Sequence, residues 1–207
     1  MKKNSRAPLK WAILFMLTSK ILVITLFITY FKPFRSDSTV IMQNILSRSS
    51  VRNFEARMPG EAEIELLLRA AMAAPSSRDV RPWQFYIIRD RAILDSLAAS
   101  LPSARMLAEA PLAIVVAGDT QKGSPNEEQI HNWIMDCSAA TQNLLLAAHS
   151  LGLGAVWTGV YPYAERISLV RQALSLPDHI IPLNVIPLGY ARGEFPARDK
   201  WDPSCIH

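Results

Sequence analysis

The chain has 207 residues, half of them hydrophobic, which is enough for one sizeable core rather than two. Seven basic residues and one acidic residue precede position 42, so the net charge of +4 comes from the amino-terminal region, while the remainder carries 15 basic and 17 acidic residues. This balance argues against a folded nucleic-acid-binding domain. The two cysteines and four histidines lack the spacing of a disulfide framework or a metal site.

The amino-terminal region contains an apolar run at residues 11–31, WAILFMLTSKILVITLFITYF, whose only charge is Lys20. As a helix this run is long enough to cross a hydrocarbon core of about 30 Å, and no small-residue cleavage site follows it. We therefore expect residues 1–41 to form a basic region with a single-pass anchor and residues 42–207 to form the folded domain. The larger number of basic residues before the run favours a domain outside the cytoplasm. The alternative is a cytoplasmic protein translated from Met42.

The first half of the domain alternates between helical and extended patterns. Apolar positions at helical spacing predict helices over residues 39–47 and 59–74. Aromatic and β-branched residues predict strands over residues 83–90 and 111–119, the second of them buried.

The second half continues the alternation without an internal repeat or a long linker. Residues 126–151 place apolar side chains on one broad face and are predicted to form the central helix. A strand over 155–161, a helix over 162–175 and a last strand over 181–190 follow. This order of elements indicates one α+β domain.

The segment SRSSVRNF at residues 47–54 sets Arg48 and Arg52 four positions apart, which predicts that both lie on one helix face. Two guanidinium groups beside two serines suit a phosphate, although a solvated helix end has the same composition. The glycines at 152 and 154 do not form a dinucleotide-binding fingerprint, because Trp157 occupies the place of the third glycine. The chain also lacks the P-loop, the nucleophile elbow and the zinc-binding H-E-x-x-H motif.

Four segments taken in order resemble the nitroreductase family of flavin enzymes: SRSSVRNF (47–54), AAPSSRDVRPWQF (73–85), GLGAVWTGVYP (152–162) and PLGYARGEFPARDKW (187–201). The resemblance implies an α+β fold with a central, mainly antiparallel sheet flanked by helices, assembled as an intertwined homodimer. It implies an FMN-dependent oxidoreductase that takes hydride from NAD(P)H and reduces nitroaromatic, quinone or similar small acceptors by a ping-pong mechanism. The flavin would carry the chemistry, so no side chain is expected to act as a general acid or base.

The resemblance also implies three groups of FMN-binding residues. The phosphate would be held by residues of the first and last segments: Arg48, Ser49, Ser50, Arg52, Arg198 and Lys200. The second segment would approach the flavin from the partner subunit or flank its pyrimidine side, through Pro75, Ser76, Ser77 and Asp79. The third would pass close to the isoalloxazine, through Trp157, Thr158 and Gly159, where a glycine permits close approach to the backbone.

Asp79 departs from the family pattern, which usually has asparagine at this position. An ionised aspartate only accepts hydrogen bonds, so Asp79 either pairs with Arg78 or Arg81 outside the site or accepts from the flavin N3–H. Trp157 has two interpretations as well, a flavin contact or a core aromatic residue on a buried strand.

Two other functions remain open from the sequence. One is a flavin-dependent dehalogenase or dehydrogenase on the same fold, and the other is a non-catalytic flavin-binding protein. Oxidation of NAD(P)H by the flavin-loaded protein would exclude the second.

Overall fold

The computed structural model describes residues 37–123 and 131–207, and residues Asn44–His207 form a compact unit. The predicted membrane anchor at 11–31 lies outside the described residues. Within the two described ranges, no helix is long and apolar enough to cross a membrane.

Helices and strands alternate along the chain much as the sequence predicts. The helices are α1 (Asp37–Ser47), α2 (Glu61–Met72), α3 (Arg91–Ser100), α4 (Asn132–Ser150) and α5 (Ala164–Leu174). The strands are β1 (Trp83–Ile88), β2 (Leu112–Asp119), β3 (Leu153–Ala155), β4 (Thr158–Gly159) and β5 (Ile180–Tyr190).

The strands form one antiparallel sheet in the order β1-β2-β5-β3, and β4 also pairs with β5. Strand β2 is buried along almost its whole length because helices cover both faces of the sheet. Ile114 and Val116 belong to a core cluster with α2 and α4, whereas Val115 belongs to a second cluster with α3 and α5. This alternation places helices on both sides of the sheet. The predicted α+β class, with an antiparallel sheet flanked by helices, is confirmed.

Helix α3 was not predicted from the sequence, although its signals are present. The Asp90 side chain accepts a hydrogen bond of 2.8 Å from the Ala92 amide and caps the helix. Leu94 and Leu97 then point into the core at helical spacing.

The single strand predicted over 155–161 occurs as two short strands that share one register against β5. Ala155 lies opposite Leu188 and Thr158 lies opposite Val185, so the chain between them stays beside β5 without forming ladder pairs. The predicted central helix begins, within the described residues, at Asn132, and residues 126–130 lie outside them.

Helix α4 fixes segments at both of its ends. Near its carboxyl end, the Leu146 carbonyl accepts from the Asn44 side chain at 3.1 Å, and Ser47 Oγ lies 2.8 Å from His149 Nε2. Near its amino end, the Asp136 carboxylate accepts from the Ser77 amide at 2.9 Å. At 1.5 Å per residue, roughly 20 Å of helix separates Asp136 from His149.

Candidate functional site

A cationic pocket lies where the segment after α1 meets the carboxyl-terminal segment. It has a volume of about 570 Å³. All six residues predicted to hold the phosphate line it, together with residues 194–197: Arg48, Ser49, Ser50, Arg52, Arg198 and Lys200. The two distant segments therefore contribute to one site.

Arg48 and Arg52 do not share a helix face, so that part of the sequence-based expectation is wrong. Helix α1 ends at Ser47, and residues 48–53 have no regular secondary structure. The Val51 amide donates to the Ala155 carbonyl of β3 at 3.1 Å, which draws the segment onto the sheet edge instead of into another helical turn.

The carboxyl-terminal wall is tied to the same segment by side-chain and backbone contacts. Ser49 Oγ donates to the Phe195 carbonyl at 2.5 Å. The Arg192 amide donates to the Asn53 carbonyl at 3.0 Å, and Phe54 forms an isolated bridge with Ala191. These contacts hold the two walls of the cationic pocket in a fixed register.

The cations of the pocket differ from most other arginines of the domain. Those at 69, 81, 89, 91, 171 and 192 each form an ion pair with a carboxylate. Among the described residues, no carboxylate lies within ion-pair distance of the four pocket cations: Arg48, Arg52, Arg198 and Lys200. A dianionic phosphate needs several cationic donors, and this set supplies them.

The residues predicted to contact the isoalloxazine lie at β4. This strand follows Ala155, whose carbonyl accepts from Val51 in the pocket wall formed by residues 48–52. Thr158 is buried and its hydroxyl donates to the Val185 carbonyl at 2.5 Å, so this side chain holds the sheet together. Trp157 is 37% exposed, which excludes the interpretation as a core residue within the chain. A Cβ atom on Gly159 would meet nothing within 4 Å, so the described chain leaves this side of the backbone open.

The second segment forms a tight turn before β1. Arg78, Asp79 and Arg81 all have positive φ angles, of 52°, 56° and 52°. Three such residues in one turn are costly and persist only where surrounding contacts fix them. The Asp136 carboxylate accepts from the Ser77 amide, and Ser76 Oγ accepts from the Arg81 amide at 3.0 Å.

Asp79 pairs with Arg81 and not with Arg78. The Arg81 guanidinium donates to both carboxylate oxygens, at 2.7 and 2.6 Å. This bidentate hydrogen bond lowers the pKa of the Asp79 carboxyl from its usual value. The carboxylate is therefore ionised and already engaged within its own turn.

One chain does not bring all the predicted residues together. The second segment is fixed at the amino end of α4, through Asp136, whereas Ser47, beside the cationic pocket, contacts its carboxyl end. Pro75, Ser76, Ser77 and Asp79 thus lie at the opposite end of this helix from the pocket.

Two residues of the site were missed from the sequence. Arg166 donates to the Gly159 carbonyl at 3.1 Å, but in the sequence it resembles any solvated residue of an amphipathic helix. Asp136 fixes the second segment, and the signal for it was a carboxylate within the apolar face of the central helix.

Comparisons with known proteins agree with this architecture. The family model described as the nitroreductase family matches residues 45–105 and 97–190. A protein of Methanothermobacter thermautotrophicus, provisionally named NADH dehydrogenase/NAD(P)H nitroreductase, is 45% identical over 167 residues, covering 81% of this chain and 85% of the relative.

Two solved structures share the fold. A protein of Parabacteroides distasonis with the same provisional name is 54% identical, with a TM-score of 0.76, over 81% of this chain and 96% of its own. An FMN-dependent nitroreductase of Clostridium difficile R20291 is 28% identical, with a TM-score of 0.72, over 80% and 97% of the two chains. The family match covers more than half of the sequence, and the chain therefore belongs to the nitroreductase family.

Proposed function

We propose that the protein is an FMN-dependent oxidoreductase that takes hydride from NAD(P)H and reduces small acceptors such as nitroaromatic compounds or quinones by a ping-pong mechanism. The observation that carries the proposal is the excess of four cations over one carboxylate, Glu194, in the lining of the cationic pocket, with no described carboxylate within ion-pair distance of any of the four. Relatives named as NAD(P)H nitroreductases and as an FMN-dependent nitroreductase support the cofactor and the electron donor.

The residues fit FMN by the chemistry of their donors. Arg48, Arg52, Arg198 and Lys200 would hold the phosphate, helped by the hydroxyl group of Ser50. Ser49, whose hydroxyl proton is donated to the Phe195 carbonyl, would instead hold the two walls of the pocket together. Trp157, Thr158 and Gly159 would border the isoalloxazine, with the open side of Gly159 facing the ring. When bound, FMN supplies the capacity to accept a hydride and pass electrons to an acceptor. The protein supplies binding, orientation and electrostatics.

The proposed active unit is a homodimer. Roughly 20 Å of helix α4 lies between the contacts that fix the second segment and those beside the cationic pocket. We infer that Pro75, Ser76, Ser77 and Asp79 complete the site of a second copy of the chain.

Mixing two defective variants tests this arrangement. One variant carries Arg52→Ala and Arg198→Ala, and the other carries Asp79→Trp, a bulky change at an exposed position. If each site takes its segments from two copies, the mixed dimer contains one intact site, and flavin binding and activity return on mixing. If one chain supplies every segment, mixing restores neither.

The visible spectrum of the purified protein tests the function itself. We expect a yellow chromophore that NADH or NADPH bleaches anaerobically and that a nitroaromatic compound or a quinone restores. Parallel double-reciprocal plots would support the ping-pong order. Flavin that no reduced nicotinamide bleaches would instead identify a flavin-binding protein, and turnover restricted to halogenated acceptors would identify a dehalogenase.

We further propose that residues 11–31 anchor the protein in a membrane, with residues 42–207 as the enzymatic domain. This proposal rests on the hydropathy and length of the run alone. The domain side follows from the charge difference across the run, and translation from Met42 would produce a cytoplasmic protein instead.

A further inference from the structure

The free edge of β4 presents the backbone amide and carbonyl of one residue, Gly159, away from the sheet. The Val160 amide donates to the Leu183 carbonyl at 3.0 Å, which is a ladder bond next to the Gly159–Asn184 pair. Pairs alternate in such a ladder, which makes Gly159 and Asn184 a non-hydrogen-bonded pair. The amide and the carbonyl of Gly159 therefore both point away from β5, toward the free edge.

Arg166 occupies that edge. Its Nη1 donates to the Gly159 carbonyl at 3.1 Å, and its Cζ lies 3.9 Å from the centroid of the Tyr163 ring. These two contacts fix a half-buried guanidinium beside the Gly159 peptide.

The remaining donors of Arg166 are available. In the described part of the chain, no carboxylate lies within ion-pair distance of this residue, and Nε and Nη2 are neither bonded nor enclosed. Trp157 and Tyr163 nearby in the sequence are 37% and 53% exposed. A cation fixed over the exposed Tyr163 ring suits a planar anion, because a guanidinium binds a carboxylate through two parallel hydrogen bonds.

We propose that Arg166 determines substrate specificity by binding a carboxylate of the electron acceptor. The inference rests on the proposed function, which places Gly159 at the isoalloxazine and so places Arg166, bonded to the Gly159 carbonyl, beside the flavin site that an acceptor approaches. Arg166 uses one N–H group to hold the Gly159 peptide and offers the others to the substrate. Acceptors that carry an aromatic carboxylate are therefore the favoured class.

A matched pair of acceptors tests the proposal on the flavin-loaded protein. 4-Nitrobenzoate and 4-nitrobenzamide share a reducible group and differ mainly in charge. We expect Arg166→Gln to raise the KM for 4-nitrobenzoate about tenfold more than the KM for 4-nitrobenzamide, because only 4-nitrobenzoate loses a charge-assisted hydrogen bond, whereas any effect of releasing the Gly159 carbonyl is common to both acceptors. Arg166→Lys should recover part of the lost affinity because it retains the charge.

Arg69→Gln is the matched control, since Arg69 is an exposed arginine of helix α2 paired with Glu65. It should leave all the constants unchanged. Flavin content and the flavin absorption spectrum, measured for every variant, show whether the Gly159 peptide keeps its place. Equal losses for both acceptors, or no change for 4-nitrobenzoate, would overturn the proposal.

Binding of benzoate, which cannot be reduced, separates this inference from the proposed function. Calorimetry with benzoate should show binding to the wild-type protein and about tenfold weaker binding to Arg166→Gln. If benzoate binds more tightly to the wild type than to Arg166→Gln but neither nitro compound is reduced, the proposed acceptor class is wrong and the anion site is supported. If both nitro compounds are reduced but benzoate binds equally to the wild type and to Arg166→Gln, the anion site is wrong and the proposed function is supported.

Discussion

The Ser49 hydroxyl donates a hydrogen bond of 2.5 Å to the carbonyl of Phe195, which lies 146 residues further along the chain. This contact joins the two walls of the cationic pocket without using any of its cations. We expect Ser49→Ala to weaken FMN binding about fivefold, because the loss of one neutral hydrogen bond costs about 1 kcal/mol. Fluorescence titration of the apoprotein with FMN measures the change. An unchanged dissociation constant would show that the walls hold their register without this bond.

The cations of the pocket should have larger effects. Arg52→Ala and Arg198→Ala should each weaken FMN binding by about 10- to 100-fold, since each removes a charge-assisted hydrogen bond worth about 1.5 to 3 kcal/mol. Arg69→Ala, which removes an arginine outside the pocket, is the control. The same titration distinguishes them, and full flavin retention by the Arg52, Arg198 double variant would contradict the phosphate assignment.

The Asp79–Arg81 pair predicts opposite shifts of the flavin midpoint potential. Asp79→Asn removes a negative charge and should raise the potential, because negative charge near the ring disfavours the anionic reduced flavin. Arg81→Gln leaves the carboxylate without its partner and should lower the potential. Potentiometry of the two variants beside the wild type measures both shifts. Identical potentials in all three proteins would make Asp79 a residue of the turn alone.

The lowered pKa of Asp79 predicts how the difference in flavin midpoint potential between the wild type and Asp79→Asn depends on pH. Because its pKa is lowered, the Asp79 carboxyl group is protonated only at pH values below the ordinary aspartate pKa of about 3.9. At higher pH it stays ionised. The difference between the wild type and Asp79→Asn should therefore stay constant from about pH 5 to 8 and shrink only at lower pH. A transition inside that interval would show that Arg81 does not hold the carboxylate in solution.

The two cysteines should differ sharply in reactivity. Burial raises the pKa of the Cys137 thiol to about 12, whereas Cys205 is exposed. Iodoacetamide at mildly alkaline pH should label Cys205 in the native protein and Cys137 only after denaturation, because the thiolate is the reactive form. Mass spectrometry of native and denatured samples measures the labelling, with Cys205→Ser as the control. Labelling of Cys137 in native Cys205→Ser would show that the core opens readily.

Fractionation tests the anchor. The full-length chain should sediment with membranes and resist extraction by high salt, whereas a chain beginning at Met42 should stay in the supernatant. Flavin content should be the same in both, because all the predicted FMN contacts lie after residue 42. Full-length protein in the supernatant would contradict the proposal.

The periodicity of hydrophobic residues was sufficient to predict most helices and strands, because the residues that face the core recur at regular intervals along the sequence. The buried run of β2 and the apolar face of α4, with Cys137 and Leu144, followed from local pattern alone. The conformation after Ser47 did not, because the Val51 amide bonds to Ala155, over a hundred residues away. Distant hydrogen bonds leave no trace in a short window of sequence.

The residues of the candidate site likewise include some that the sequence could identify and one that it could not. Arg48 and Arg198 belong to segments whose composition and order resemble those of a family, so the sequence could nominate them. Arg166 could not be nominated, since its role depends on which way the Gly159 carbonyl points. That direction depends on which residues of β4 and β5 are paired, and the pairing is known only from the structure.

The cationic pocket has a consequence for the biogenesis of the protein. One wall is made early in synthesis, whereas Arg198 follows Arg48 by 150 residues in the sequence. A chain still being translated cannot present the complete set of cations. We therefore expect FMN to bind only after the segment with Arg198 and Lys200 has been synthesised, and a chain truncated after Ala197 to be apoprotein even where its sheet has formed.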